Sequence, residues 1–405
     1  MRVLQINSTV NYGSTGKIVE NIGEFLVKNN HESYVAFGRN GDTKYSNSIK
    51  IGSNLDQFFH LVNTRLFDQH GLNSRDATSN LFSHIKKINP DVIHLHNIHG
   101  YYVNFPLLFE FLCDLDTPVV WTLHDCWAFT GHCCHYERVK CQKWKTGCFK
   151  CPLKFLYPQS FLMDNSKSNY QAKKRSFNLP KCMHLVSVSQ WLENQVKESF
   201  LKKYPVSTIY NGVNLNIFKP KEPEILKQKY FFDVKTKIIL GVANIWSDGK
   251  GLNTFLELSK IIPENQMIVL IGLKKDQIKN LPGNVIGISR TSNIQELAEY
   301  YALADVFVSP SLAETFGMVI AEAMACGTPS VVYDSTAMPE LIDSKVGLIS
   351  PVGDYKQLNE SIQKILCEGK SNFSSECRVK ALDLFDKENQ LKEYLALYQA
   401  LCRKN

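Results

Sequence analysis

No stretch of the 405 residues approaches the ~20 consecutive apolar positions that a membrane-spanning helix requires. The N-terminus, MRVLQINSTVNYGSTGKI, turns polar after one short β-like run and so has no apolar core of a secretory signal. These two absences make a soluble cytoplasmic protein the expectation. No internal repeat or low-complexity tract stands out, and 44% hydrophobic with 21% charged content excludes a disordered chain. The segment GSTGK does not make a P-loop: Asn11 stands where the first Gly belongs, and Ile18 where Ser or Thr must follow Lys17. Nor is there a D-x-D arrangement placed to hold a metal. Cysteine, by contrast, is plentiful. Twelve of them without a secretory signal read as thiols, some of them candidate metal ligands.

What the chain has is a strand–helix rhythm. RVLQINS, ESYVAFG, DVIHLHN, PVVWTLHD and HLVSVS alternate with helical patterns such as KIVENIGEFLVKN and QWLENQVKESF. A polar, Pro-punctuated stretch at 211–231 reads as a linker. A second series follows, with KIILGVAN, QMIVLIG, NVIGIS, ADVFVSP and PSVVYD as strands. The fold class is therefore α/β, two doubly wound Rossmann-like domains facing a cleft. The expected division is 1–215 with an insertion near 126–175, then 216–385, then a C-terminal helix over 386–405 packing back toward the first domain.

The stretch from Ala304 to Pro329, ADVFVSPSLAETFGMVIAEAMACGTP, carries the most chemistry. A strand ends at its first turn, and a short helix is closed by Gly327 and stopped by Pro329. The loop between, with Glu314, Thr315, Phe316 and Gly317, thus lies at the carboxyl end of a strand. There a helix N-terminus offers unpaired amides to an anion. On a helical path Glu314 and Glu322 would be about 12 Å apart, a span that suits a sugar at one end and a ribose at the other. A diphosphate between them would sit over the amides of Phe316, Gly317 and Met318. The alternative is a helix with one acid near its N-terminus and one on a solvated face.

Other candidates sit at strand ends. Gly13, Ser14, Thr15 and Gly16 form a glycine turn after the first strand, suited to a ligand's approach or to structure alone. His124 ends PVVWTLHD, where a neutral imidazole would polarise a ligand hydroxyl. His94 and His96 share a strand face and either line a site with His99 or form a buried hydrogen-bonded pair. Between Arg138 and Arg175 lie ten basic residues against the single acid Asp164, interleaved with Trp144, Phe149, Phe155, Leu156 and Tyr157. This suits an anionic surface such as a bilayer, or a plain solvated face. The same segment holds GHCCHYERVKCQKWKTGCFKCP. Its Cys148 and Cys151 have the C-x2-C spacing that grips one tetrahedral ion, and Cys133 and Cys141 complete a candidate structural zinc set. His132, Cys134 and His135 are alternative ligands, and free thiols or disulfides are the other readings.

Taken together, Glu314 and Glu322 in E-x7-E spacing, the ETFG form, NGVN at Asn211 to Asn214 before IFKP, and Lys250-Gly251 opening a helix resemble the family 4 retaining glycosyltransferases of the GT-B fold, over nearly the whole chain. The resemblance implies transfer of a sugar from a nucleotide-diphosphate donor to an acceptor hydroxyl with retention. No cofactor is implied for catalysis, since the leaving phosphate takes the acceptor's proton. It assigns Glu322 to the ribose, Glu314 and the following amides to the sugar, Lys250 to the diphosphate, and His124 to a sugar hydroxyl. Gly16 lies beside donor phosphate in this scheme, and Gly13, Ser14, Thr15 and His99 face the acceptor. One position departs: Asn244 stands where the family often has Arg, so Arg290 becomes the candidate substitute on the donor. Bacterial capsule, exopolysaccharide or O-antigen synthesis, a lipid-linked saccharide acceptor and peripheral attachment to the inner face of the plasma membrane are the expected setting, with no nucleic acid as partner. The alternatives are a sugar-nucleotide epimerase of the same fold and a cysteine-rich nucleic-acid binder. The second leaves the glutamates and Lys250 unexplained.

Overall fold

The computed structural model describes residues 1–403 except 224–225, 227–229, 231–232 and 234, so the stretch expected as a linker at 211–231 lies partly outside the described residues. The chain divides into two compact units, Met1–Ile209 with Leu391–Asn405, and Tyr210–Gln390. The first division falls before the expected 215/216 because residues just beyond 210 pair within the second unit. There the Val213 amide donates to Phe385 O at 2.7 Å, and that of Lys387 to Val213 O at 3.1 Å.

The first unit is built on strands β1 Arg2–Asn7, β2 Glu32–Phe37, β3 Asn47–Lys50, β4 Val92–Leu95, β5 Val119–Leu123, β6 Met183–Ser187 and β7 Val206–Thr208. They form one parallel sheet in the order β3-β2-β1-β4-β5-β6-β7. The central strands are apolar on both faces because crossover helices cover both sides, as VIHL and VVWTL show by being buried throughout. Helix Lys387–Cys402 contributes Tyr394 and Tyr398 to this core, against Val3, Ile22, Leu26, Val92 and Val120. The Tyr398 hydroxyl bonds His94 Nδ1 at 2.6 Å and that of Tyr394 bonds Thr122 Oγ1 at 3.1 Å, so the polar tips are satisfied in an apolar setting.

The second unit repeats the plan with β8 Lys237–Val242, β9 Gln266–Ile271, β10 Val285–Ile288, β11 Val306–Ser309, β12 Ser330–Tyr333 and β13 Gly347–Ser350. Their order is β10-β9-β8-β11-β12-β13, again all parallel. Each sheet thus reverses its winding direction once, between β1 and β4 in the first unit and between β8 and β11 in the second. Ligands bind outside the carboxyl ends of strands at such a reversal, and the candidate residues lie there. Among the described residues no helix is long and apolar enough to cross a membrane.

Candidate active site

In the second unit the loops after β8 and β11 are fastened to each other. A tight turn, Asp248–Lys250, follows β8, and Gly251 then takes φ +80° before helix Leu252–Leu258. A Cβ on Gly251 would stand 2.4 Å from the Pro310 carbonyl oxygen, so only glycine permits this approach. The Leu312 amide and the Ser311 hydroxyl both donate to Gly249 O, at 2.9 and 3.2 Å. This contact brings Lys250 Nζ to Glu314 Oε1 at 2.5 Å, with both side chains still partly open to solvent. Thr336 latches the glutamate's backbone: it accepts from the Glu314 amide at 2.9 Å and donates to Glu314 O at 2.7 Å.

Helix Met318–Ala325 starts only after Gly317, whose φ is +100°. The helical path expected between Glu314 and Glu322 is therefore corrected. Only Met318 to Glu322 is helical, because the loop backbone is held by Thr336 instead of by i to i−4 bonds. The Ile320 and Ala321 amides donate to Gly317 O at 2.9 and 3.3 Å, which leaves the amides of Met318 and Val319 at the helix start without an intrahelical acceptor. Phe316 is buried between Tyr210 and Phe385, with ring centroids at 5.8 and 5.7 Å, which pins the loop just before those amides. Glu322 Oε2 accepts from the Tyr301 hydroxyl at 2.8 Å. Burial, and then the Glu322 charge, keep that hydroxyl protonated and donating.

Asn244 lies exposed just past β8, and Arg290 exposed just past β10. The structure does not bring them together. β9 lies between their strands, a separation of about 10 Å at the usual strand spacing.

In the first unit, Gly13, Ser14 and Thr15 form the first turn of helix Gly13–Lys28, the first two exposed and Thr15 half-buried. Gly16 is buried, and a Cβ there would lie 2.9 Å from Thr9 Oγ1. The close approach it serves is that of the chain's own β1 loop. His96 and His94 form the buried pair, packed at 3.9 Å between ring centroids. His96 bonds Gln5 Oε1 and His124 Nε2, each at 3.2 Å, and His94 bonds Thr122 Oγ1 at 2.8 Å. Burial is the main cause that lowers His124 to about 4, outweighing the opposing charge of Asp125, so the imidazole is neutral at ordinary pH.

Asp125 is the residue that sequence reasoning missed, although it directly follows His124 in the same motif. It accepts from His99 Nε2 at 2.9 Å. Burial alone would raise this carboxyl, but the charge of and hydrogen bond from His99 outweigh it and hold it well below the usual range. His99, Asp125 and Cys134 have ligand atoms within 4.8 Å of one another. His99 Nδ1 meets the Tyr157 hydroxyl at 3.2 Å. The set is satisfied internally and lies at the edge of a depression lined also by His96, Asn97 and His124.

The basic insert needs two corrections. Lys173 is buried, its Nζ donating to Trp127 O at 2.7 Å and Thr130 O at 3.0 Å, and burial lowers it to about 7. Trp144 is buried as well. Neither belongs to the surface, because the local fold uses both as core. Exposed in their stead are Phe149, Phe155, Leu156, Phe161, Leu162 and Met163. Cys133, Cys141, Cys148 and Cys151 line one cavity.

With this geometry in view, relatives can be compared. Residues 15–217 match the sequence model described as Glycosyltransferase Family 4, and residues 222–378 that described as Glycosyl transferases group 1. Over 99% of this chain and the whole of the relative, the sequence is 24% identical to WcaC of Escherichia coli strain K12, named for a glycosyl transferase role in colanic acid biosynthesis. Among solved structures, sucrose-phosphate synthase from Thermosynechococcus elongatus superposes with a TM-score of 0.73 at 17% identity, over the whole of both chains. HepE of Anabaena in complex with UDP gives 0.68 at 15% identity, over 99% of this chain and 100% of that one. At such identities the structural likeness establishes the GT-B fold.

Proposed function

The chain belongs to glycosyltransferase family 4 and is a retaining glycosyltransferase; from that premise we propose that its donor is a nucleotide-diphosphate sugar bound at the β8 and β11 loops. The observation that carries this reading is the Lys250–Glu314 pair, fixed beside the start of helix Met318–Ala325 at the point where the sheet reverses. In the transfer, the bond from the anomeric carbon to the diphosphate breaks and one to the acceptor oxygen forms on the same face. The acceptor's proton passes to the departing phosphate. Negative charge therefore grows on the diphosphate, where Lys250 and the amides of Phe316, Gly317 and Met318 stabilise it. Glu314, released from Lys250, accepts from the sugar hydroxyls with Thr315 beside it. Glu322 accepts from the ribose. His124, neutral, contacts a sugar hydroxyl, while Gly13, Ser14, Thr15 and His99 lie toward the acceptor.

HepE, with its bound UDP, supports nucleotide recognition by this fold, and the name of WcaC supports a role in surface polysaccharide assembly. Its acceptor is a lipid-linked saccharide, reached from the cytoplasmic side of an anionic membrane. This is supported by exposed Phe155, Leu156, Phe161, Leu162 and Met163 flanked by Lys150, Lys167, Lys174 and Arg175. The patch continues onto helix Asn54–Phe67. The Phe161 amide donates to Arg65 O at 2.7 Å, and that helix exposes Leu55, Phe58 and Phe59. Each basic residue near the surface adds roughly 1 kcal/mol of attraction, so binding weakens with salt. Equal flotation with neutral and anionic vesicles at low and high salt would contradict the membrane reading.

The donor is identified by a thermal-shift screen against nucleotide sugars, followed by NMR of the product's anomeric centre. One donor raising the melting temperature, with an anomeric configuration retained in the product, is the expected result. No response to any nucleotide sugar from a folded, monodisperse protein would overturn the donor assignment.

A further inference from the structure

Between β5 and the helix that begins at Ser166, the chain has only three turns of 3-10 helix, Trp127–Phe129, Tyr136–Val139 and Lys143–Lys145. A segment this long without strand or α-helix has few backbone bonds to hold it, and its apolar residues are divided between core and surface. It is nonetheless tightly arranged. Four cysteines drawn from across it, Cys133, Cys141, Cys148 and Cys151, line one cavity. The Gly131 amide donates to Cys148 Sγ at 3.1 Å. An amide aimed at sulfur is the arrangement that stabilises a thiolate.

A second observation lies in the same cavity wall. His132 is 2% exposed, and its Nδ1 bonds Asp68 Oδ1 at 2.5 Å. Its Nε2 is buried with no partner. An imidazole oriented by a carboxylate on one nitrogen, with the other left unsatisfied beside thiols, is poised to donate to a sulfur of that cavity. A buried polar atom without a partner is costly, and a neighbouring thiolate would satisfy it.

We propose that Cys133, Cys141, Cys148 and Cys151 bind one structural zinc ion in a four-thiolate site, with His132 donating to a ligating sulfur. On binding, the thiols release their protons to solvent, and the ion joins the two ends of the insert through four Zn–S bonds. The fixed insert in turn presents Tyr157 to His99, which links the metal to the geometry around Asp125 without placing it in the chemistry. Among the described residues, the set whose ligand atoms already lie within 4.8 Å of one another is His99, Asp125 and Cys134, but His99 and Asp125 satisfy each other; the four cysteines share a cavity, and their sulfurs must draw together around the ion.

The test begins with elemental analysis of full-length protein purified without chelator, and with cobalt substitution. Expected are one zinc per chain and, with cobalt, the thiolate charge-transfer and tetrahedral visible bands. Cys148→Ser with Cys151→Ser should lose the ion. Because that variant can misfold, mercurial titration of the wild type gives an independent reading, in which zinc release tracks modification of these thiols. Cys134→Ser should keep full occupancy. His132→Ala should bind zinc 10–100-fold more weakly yet keep the cobalt spectrum. Metal-free protein that is folded and active would overturn the proposal. So would full occupancy in Cys141→Ser together with loss of zinc in His132→Ala, which would move the fourth ligand.

Discussion

The two units share one architecture, a parallel sheet that reverses beside its first strand, but they keep their chemistry in different states. All eleven histidines lie between positions 31 and 184, in the first unit, and the second has none. In the first, the histidines around the depression are buried and paired, His96 with Gln5 and His124, and His99 with Asp125, whereas His132 Nε2 stays without a partner. In the second, the central pair is Lys250 with Glu314, held on loops and partly open to water. An exposed ion pair contributes little to stability, so a diphosphate can displace the carboxylate from the lysine at small cost. Buried networks instead hold shape. The second unit thus keeps an open charged pair for a ligand, and the first holds a neutral His124 inside a buried network.

The strongest way to break that contrast is to remove the charge. Lys250→Ala should lower kcat by about 10²–10³-fold, as expected for loss of one preorganised group facing developing negative charge, with the melting temperature little changed. Glu322→Ala should act chiefly on KM, since hydrogen bonds from ribose hydroxyls to a carboxylate contribute about 1.5–3 kcal/mol. Steady-state kinetics with the identified donor separates the two. Wild-type efficiency in both variants would remove the site from the β8 and β11 loops.

The next effect is steric and compares two glycines with left-handed backbone, one in each unit. Gly251→Ala forces a Cβ to 2.4 Å from the Pro310 carbonyl in addition to an unfavourable φ of +80°. It should cost about 3 kcal/mol and lower activity by moving Lys250. Gly13 has φ +68° with nothing within 4 Å of an added Cβ. Gly13→Ala should cost only the conformational strain, about 1 kcal/mol. Denaturant melts of the two variants measure the difference. Equal losses would show that the Gly251 approach to Pro310 is not what holds the lysine turn.

Much of this was legible in the sequence, and what was missed has a pattern. The buried strands announced themselves as apolar runs, whereas β3, β7 and β13, which had no sequence signal, are sheet edges. They are three or four residues long and half exposed, so neither burial nor alternation marks them. Lys250-Gly251 and Glu314 could be found because each stands at a loop held by a tight turn, and Glu322 because it follows at fixed spacing on the helix that this loop starts. Tyr301, Thr336 and Asp125 could not, since they join the site through side-chain contacts 21, 22 and 26 residues away in sequence. Lys173 shows the opposite failure. A lysine in a basic run reads as surface, and only the fold reveals the Trp127 and Thr130 carbonyls that keep it inside.

The smallest effect separates the units by acid. Burial lowers His60 to about 3 and His124 to about 4, and holds His94 and His96 well below the ordinary value of 6.5. The unfolded chain takes up protons at these positions below 6.5, while the folded chain does not until its own lower values are reached. Stability of the first unit is therefore full above 6.5 and falls as pH drops toward 4. Between pH 7 and 6 each such histidine contributes a loss of less than about 1 kcal/mol. His132 acts with the opposite sign. Burial would lower it, but the hydrogen bond and charge of Asp68 raise it, so its contribution is fully present below 6.5 and is lost as pH rises. The lowered histidines outnumber it, and the net slope should remain positive. Fluorescence melts of Trp246→Phe report the first unit through Trp121, Trp127, Trp144 and Trp191. The midpoint should fall from pH 7 to pH 6, and His60→Asn should flatten that dependence whatever it does to the midpoint itself. A midpoint independent of pH in the parent variant would mean that these imidazoles are not held neutral by burial.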